Sequence, residues 1–365
     1  MRSARILLLV VIGILPAAPR SAYCAGVYPA GQTTRIFEPS HLRNWRGART
    51  EGLNTTIWYP ASPDSSERPQ LLGPPDAPLF FAGNTALDAA LAPRPLKFPV
   101  ILLSHGTGGS AAQLAWLGTE LARHGYIAAA VNHPGNNSLE PYTAEGFTLW
   151  WERATDLSDA LDQLILDPTF GPRVDGSRVG AAGFSIGGYT VLALAGARID
   201  QSAFFKFCAA NSKKPTCHVP EMHTLGDTQQ ILARTRATSA DSLARSGASY
   251  RDPRIGAVFA IAPAVGQAFK SDSFRGVAIP ISMVVGDLDP IAPAADGAAR
   301  IKQLDPGATL AILPGVSHYT FLDTCAPAGE STVVPYCQDA PGVDREKVHV
   351  EVAGMALQFF ANNLR

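Results

Sequence analysis

From residue 100 onward the chain alternates short apolar runs with helical stretches, and that alternation leaves few folds open to it. Residues 100–103, 127–131, 178–184, 257–262, 281–285 and 309–313 read as strands, most of them apolar on both faces. Strands of that kind belong in a parallel sheet covered by helices on each side. The covering helices read as 111–124, closed by Gly125, then 148–166, ahead of Pro168, then 186–197, 294–304 and 345–362. Right-handed crossovers then restrict the topology, and a site in such a sheet lies at the carboxyl ends of its strands. The regularity has gaps. Residues 54–59 (NTTIWY) form an earlier strand, residues 25–50 read as polar and irregular, and proline-rich residues 60–98 read as loop with a short helix near 85–91. Residues 200–250 are polar and interrupt the alternation, as an insertion of helices and loop placed where a lid would sit.

The first 24 residues read as an export signal. Arg2 and Arg5 precede the short apolar run 6–15, and Ala22-Tyr23-Cys24 offers a cleavage site before Ala25. The run is short for a bilayer span, although an uncleaved anchor or a lipidated Cys24 competes with cleavage. The chain expected from this reading is 1–24 signal and 25–365 a single α/β domain with an insertion at about 200–250. Export suits the cysteines. With Cys24 removed, four of the five remain, in two close pairs: Cys208 with Cys217 and Cys325 with Cys337 are the natural disulfides, among three possible pairings. Each would close a short loop and stabilise by roughly 2–3 kcal/mol. A net charge of −1 on 365 residues gives no electrostatic case for nucleic acid or an anionic membrane surface. No later stretch is apolar enough to cross a membrane, and secreted or periplasmic placement is expected.

Four segments at predicted strand ends carry chemistry. Gly183-Phe184-Ser185-Ile186-Gly187 has the form G-x-S-x-G between a strand and a small-residue helix. A serine in that tight turn is strained, and its hydroxyl stands at the sheet edge above a helix N-terminus. Ser104-His105-Gly106-Thr107-Gly108-Gly109 follows the strand 100–103. Glycines there let backbone amides aim at an oxyanion, and the N–H groups of Thr107 and Ile186 are the expected donors. His318, in a glycine-containing loop after the strand 309–313, is the candidate base. Asp289 is favoured over Asp287 as the acid that orients it, with Asp287 bonding the loop backbone. The order Ser185, Asp289, His318 is that of the α/β-hydrolase fold, not of the chymotrypsin or subtilisin types. His105, Gly106, Trp150 and Trp151 are candidates for substrate contact, His105 packing beside the glycine loop. Trp116, Trp150 and Trp151 form either an apolar wall or core, and Asn132 and His133 follow a strand end near the same place. His218, Glu221 and His223 lie close together, but Pro220 breaks a helix there and the spacing fits no zinc motif. No metal and no organic cofactor is required.

The strings LLSHGTGGS (102–110), VNHPGNN (131–137), WWERATDLS (150–158), GFSIGGYT (183–190), GDLDPIAP (286–293) and LPGVSHYTFL (313–322) resemble the exported dienelactone-hydrolase-like proteins. They are also similar to the platelet-activating-factor acetylhydrolase family. The resemblance covers about residues 50–364. It implies a Ser185–Asp289–His318 triad with Thr107 and Ile186 at the oxyanion hole. Dienelactone hydrolases proper use a cysteine nucleophile where this chain has Ser185, which turns the expectation toward ordinary esters. The chain is thus expected to be a serine carboxylic-ester hydrolase, esterase- or lipase-like, acting on a small apolar ester or lipid. The competing expectations are a serine peptidase or amidase of the same fold, and a non-catalytic relative that binds an apolar ligand.

Overall fold

A computed structural model describes residues 27–40, 43–218 and 220–365. The expected signal segment and Cys24 lie outside them. The N-terminal part supplies four strands: β1 (Ala30–Phe37), β2 (Leu53–Pro60), β3 (Arg68–Leu72) and β4 (Phe80–Leu87). Three of these correct the sequence expectation, β3 by standing as a strand within residues read as loop. β1 replaces an irregular stretch, because AGQTTRIF pairs residue by residue with β2. β4 replaces the short helix near 85–91, since Phe80–Leu87 is held by β1, β3 and a later strand rather than by its own backbone.

The alternating half follows. It runs β5 (Phe98–Ser104), α1 (Ala115–Arg123), β6 (Ile127–Val131), α2 (Ala144–Thr148), α3 (Glu152–Leu166), β7 (Val174–Phe184) and α4 (Ile186–Leu194). The helix expected over 148–166 is two pieces, broken at Leu149–Trp151. Then come α5 (Gln201–Ala210), α6 (Thr228–Thr238) and α7 (Ala240–Ala244), none of which adds to the sheet. The pattern resumes with β8 (Ile255–Ile261), β9 (Ile281–Gly286), α8 (Ala298–Leu304) and β10 (Thr309–Leu313). The chain closes with β11 (Thr324–Cys325), α9 (Pro327–Thr332), α10 (Val334–Cys337) and α11 (Arg345–Asn363).

The sheet order is β10-β9-β8-β7-β5-β6-β2-β1-β4-β11, with β3 beside β4. β5 to β10 run parallel, and β2 joins β6 antiparallel. β5 and β6 are buried along their whole length, as a doubly covered sheet requires. α1 and α11 pack together, α3 and α4 pack together, and the sheet lies between the pairs. This is the α/β-hydrolase fold. It brings the ends of β5, β7, β9 and β10 to one rim. Both short disulfides form, Cys208–Cys217 in the insertion and Cys325–Cys337 after β11. No helix among the described residues is long and apolar enough to cross a membrane.

Candidate active site

Ser185 stands at the turn between β7 and α4 with φ +58°, ψ −119°, a region that non-glycine residues rarely occupy. The turn is over-determined. The Ser185 amide donates to Ile261 O at 2.9 Å, and its carbonyl accepts from Ala264 N at 3.0 Å. A Cβ on Gly187 would lie 1.9 Å from the Ser104 carbonyl oxygen, so only glycine lets α4 start against the end of β5.

The loops after β9 and β10 interlock. Asp287 Oδ1 accepts from Gly315 N at 2.7 Å, and Leu288 N donates to Val316 O at 3.1 Å. A Cβ on Gly286 would meet Val316 O at 1.9 Å, so the close approach of the two loops needs that glycine. The contact presents Asp289 to His318. Asp289 Oδ2 lies 2.7 Å from His318 Nδ1, while its Oδ1 accepts the amides of Ile291 and Ala292 at 2.9 and 2.7 Å. His318 Nε2 lies 3.0 Å from Ser185 Oγ. Three side chains from 104 to 133 residues apart along the chain between serine and its partners thus meet in one relay, with Phe184 against the imidazole ring at 4.8 Å. Asp287 is turned away from the imidazole and serves the loop backbone instead.

The loop after β5 faces the serine. Gly108 N donates to Asn136 Oδ1 at 2.8 Å, and Tyr142 Oη donates to Gly108 O at 2.8 Å. Among the described residues, no protein acceptor takes the amides of Thr107 or Ile186. Both residues line the same cavity as Ser185 and His318.

Arg153, which sequence reasoning passed over, braces this loop from below. It is buried and donates to His105 O, to Asn136 Oδ1 at 3.3 Å and to Thr190 Oγ1 of α4 at 3.2 Å. One guanidinium thereby ties the glycine loop to the helix that begins at Ile186. Burial pulls its pKa down to about 9, against the pull of Asp156. Beside it lies a second Ser–His–Asp chain. Ser104 Oγ is 2.9 Å from His133 Nε2, and His133 Nδ1 is 2.8 Å from Asp156 Oδ2. Asp156 also receives Arg43 at 2.6 Å and Arg46 at 2.7 Å. Burial alone would push its carboxyl up; Arg46 and Arg43 outweigh that and hold it well below the usual carboxylate range. Burial, then Arg153, pulls His133 down to about 3. The available signal was the charge of Arg153, Asp156 and Asp159 on a helix whose other buried residues are apolar.

The cavity above Ser185 measures about 370 Å³. Trp150 stands edge-on to Phe204 at 5.1 Å, with Phe147, Ile231, Leu232 and the Cys208–Cys217 bridge completing an apolar wall. Thus the insertion roofs the site. Of the expected substrate contacts, Gly106 and Trp150 line the cavity. His105 and Trp151 do not, which corrects the sequence expectation. His105 is wholly buried because its ring bonds Gly106 O at 2.6 Å and receives His133 N at 3.2 Å. Trp151 turns into the core and donates to Ser242 Oγ at 2.9 Å. Trp116 is core as well, stacked on His349 at 4.5 Å. Asn132 and His133 hold backbone and side chain beneath the loop rather than facing the cavity.

Residues 100–328 match the model of the alpha/beta hydrolase family. Among curated proteins the chain is similar to cutinase est1 of Thermobifida alba, 32% identical over 108 residues, which are 29% of this chain and 33% of that protein. Cutinase cut1 of Thermobifida fusca matches at 32% over 108 residues, 29% of this chain and 31% of that protein. The chain spans about a third of the length of these curated relatives. Among solved structures, a ferulic acid esterase from Streptomyces cinnamoneus superimposes with a TM-score of 0.59 at 19% identity, covering 96% of this chain and 92% of that one.

Proposed function

The chain belongs to the alpha/beta hydrolase family, and from that premise we propose that it is an exported serine carboxylic-ester hydrolase working through an acyl-enzyme on Ser185. The observation that carries this reading is the unbroken relay from Asp289 through His318 to a strained serine at the cavity floor. His318 Nε2 takes the Ser185 proton as the hydroxyl attacks an ester carbonyl. The amides of Thr107 and Ile186 receive the oxyanion. His318 then protonates the leaving alcohol, and afterwards activates a water that releases the acid. Asp289 keeps Nδ1 protonated and the ring in line.

The substrate in this reading is a small apolar ester. The wall of Trp150, Phe147 and Phe204 favours an apolar acyl group, and a volume of about 370 Å³ sets a modest size. The relatives named cutinases and the fold neighbour named a ferulic acid esterase are compatible with ester chemistry. Residues 25–365 act as one hydrolase domain, with the insertion as its lid and 1–24 as a cleaved signal. The two disulfides support an oxidising compartment, secreted or periplasmic. The quoted motif strings place the chain nearest the exported dienelactone-hydrolase-like and platelet-activating-factor-acetylhydrolase-like branch, with serine chemistry.

Nitrophenyl esters from acetyl to palmitoyl test the proposal. Short to medium chains are expected to turn over with kcat/KM far above that for a matching anilide, and a fluorophosphonate is expected to label Ser185. Absence of both turnover and labelling in folded protein would overturn it.

A further inference from the structure

The cavity lining holds polar groups that ester hydrolysis as described does not use, among them Gln113, His218 and Glu221. Among the described residues lining it, Glu221 is the only carboxylate. The only guanidinium there, Arg153, is engaged by His105 O, Asn136 and Thr190. Glu221 lies over the glycine loop, its Cγ 2.8 Å from where a Cβ on Gly108 would be, and the Tyr142 hydroxyl is 3.0 Å from the same point. Tyr336 hydrogen-bonds Glu221. Tyr336 stands edge-on to Tyr319 at 4.8 Å, and Tyr319 edge-on to His318 at 5.5 Å. All four residues are half-buried and line the cavity. Burial first, and the Glu221 charge second, push the hydroxyls of Tyr142 and Tyr319 up, and the same two causes act on Tyr336, so the rings stay neutral beside the carboxylate.

The position matters because His318 must protonate the leaving oxygen. The leaving alcohol therefore lies on the imidazole side, where Tyr319, Tyr336 and Glu221 follow one another. A carboxylate bordered by aromatic rings is the chemistry that holds an organic cation and repels an anion. We propose that Glu221, with Tyr142, Tyr319 and Tyr336, forms a subsite for a cationic leaving group, favouring esters of quaternary-ammonium alcohols over esters of carboxylate-bearing alcohols. This rests on the ester-hydrolase reading and narrows its substrate.

Three esters sharing a butyryl group test it: butyrylcholine, its uncharged isostere 3,3-dimethylbutyl butyrate, and 4-butyryloxybutanoate. In the unaltered protein kcat/KM is expected to fall about tenfold from the cation to the isostere, and about tenfold again to the anion. In Glu221→Gln the three values are expected to converge to within about threefold, whereas Glu221→Asp keeps the ranking. A flat ranking in the unaltered protein, or the same ranking in Glu221→Gln, overturns the subsite. So does loss of the ranking in Glu221→Asp, because the charge would then not be its cause. Calorimetric titration with tetramethylammonium reads the subsite without turnover. Binding is expected in the unaltered protein and in Ser185→Ala, and to be lost in Glu221→Gln. If no ester is cleaved, the hydrolase reading fails while the titration still decides the subsite. If the isostere is cleaved and neither preference nor binding is seen, the subsite fails alone.

Discussion

Among the described residues stand two Ser–His–Asp chains of nearly the same dimensions. In one, 3.0 and 2.7 Å join Ser185, His318 and Asp289; in the other, 2.9 and 2.8 Å join Ser104, His133 and Asp156. What separates them is everything around those contacts. Ser185 sits in a strained turn, at the floor of a cavity, beside amides that have no protein acceptor among the described residues. Ser104 ends an ordinary strand, pairs with Val131 and Gly183 on its two neighbours, and is sealed from solvent. Asp289 is satisfied by two backbone amides and the imidazole, whereas Asp156 is clamped by two guanidinium groups. On the proposed reading, access to the cavity and amides without a protein acceptor, rather than distances alone, set a nucleophile apart from a brace.

The largest effect should separate the serines. Ser185→Ala is expected to lower kcat for a short nitrophenyl ester by about 10⁴-fold or more, with no change in folding. Ser104→Ala is expected to keep kcat within about tenfold while lowering stability by about 1 kcal/mol, because His133 and Arg153 each lose a partner. Steady-state kinetics and urea unfolding of both variants decide it; comparable kinetic losses would erase the distinction.

The aspartates sharpen the same contrast with opposite readouts. Asp289→Asn is expected to drop kcat by about 10⁴-fold at nearly constant stability, since the ring loses its tautomer and not its packing. Asp156→Ala leaves Arg43 and Arg46 facing an empty place in the core. It is expected to cost about 3–5 kcal/mol in unfolding free energy. A destabilised Asp289→Asn, or an unaffected Asp156→Ala, would show that the two chains are of one kind.

This contrast also explains what could be read without coordinates. Ser185, His318 and Asp289 each follow an apolar strand, and glycines mark their loops, so local pattern carries them. β5 to β9 were legible for the same reason, because burial on both faces writes a continuous apolar run, whereas β10 is an edge strand with Thr309 and Ile312 exposed and was legible only from its apolar residues. β1 and β4 were not. Their strand character comes from partners elsewhere in the chain, and AGQTTRIF or FFAGNTAL has no strong period of its own. His105 and Trp151 were read as substrate contacts because they neighbour such residues in sequence. One residue along a loop or helix end turns a side chain to the opposite side, and both point into the core. Arg153 and Asp156 were missed because charge on an apolar helix face makes sense only once Arg43 and Arg46 arrive from more than 100 residues away.

Acid should attack the brace before the neutral range is left. His133 binds its proton near 3 in the fold but near 6.5 in an unfolded chain, so below about 6.5 the unfolded state holds more protons. His349, pulled down to about 4 chiefly by burial, acts in the same direction. Asp156, held well below its ordinary value, adds stability that is full above about 4 and lost as the pH falls further. Unfolding free energy is therefore expected to decline from about pH 6.5 downward and to steepen below about 4. His133→Gln is expected to flatten the upper part of that decline. An unchanged slope in urea titrations between pH 4 and 7 would remove His133 from the account.

The smallest effect concerns a buried carboxyl without such a clamp. Asp323 lies behind the His318 loop, and neither of its oxygens has a well-formed hydrogen bond among the described residues. Burial pushes its carboxyl well above the usual range, and the Trp116 amide and Arg345 counter this only in part. Its linkage runs opposite to that of Asp156. The fold keeps a proton that the unfolded chain releases above about 4, so this residue lowers stability as the pH rises toward its folded value. Asp323→Asn removes the titration while keeping the shape. The variant is expected to gain stability relative to the unaltered protein as the pH rises from 5 to 8, measured as the difference of the two urea-derived stabilities at each pH. A difference that stays constant with pH would mean that Asp323 finds a partner for its charge, and that the clamp on Asp156 is not what sets the two carboxylates apart.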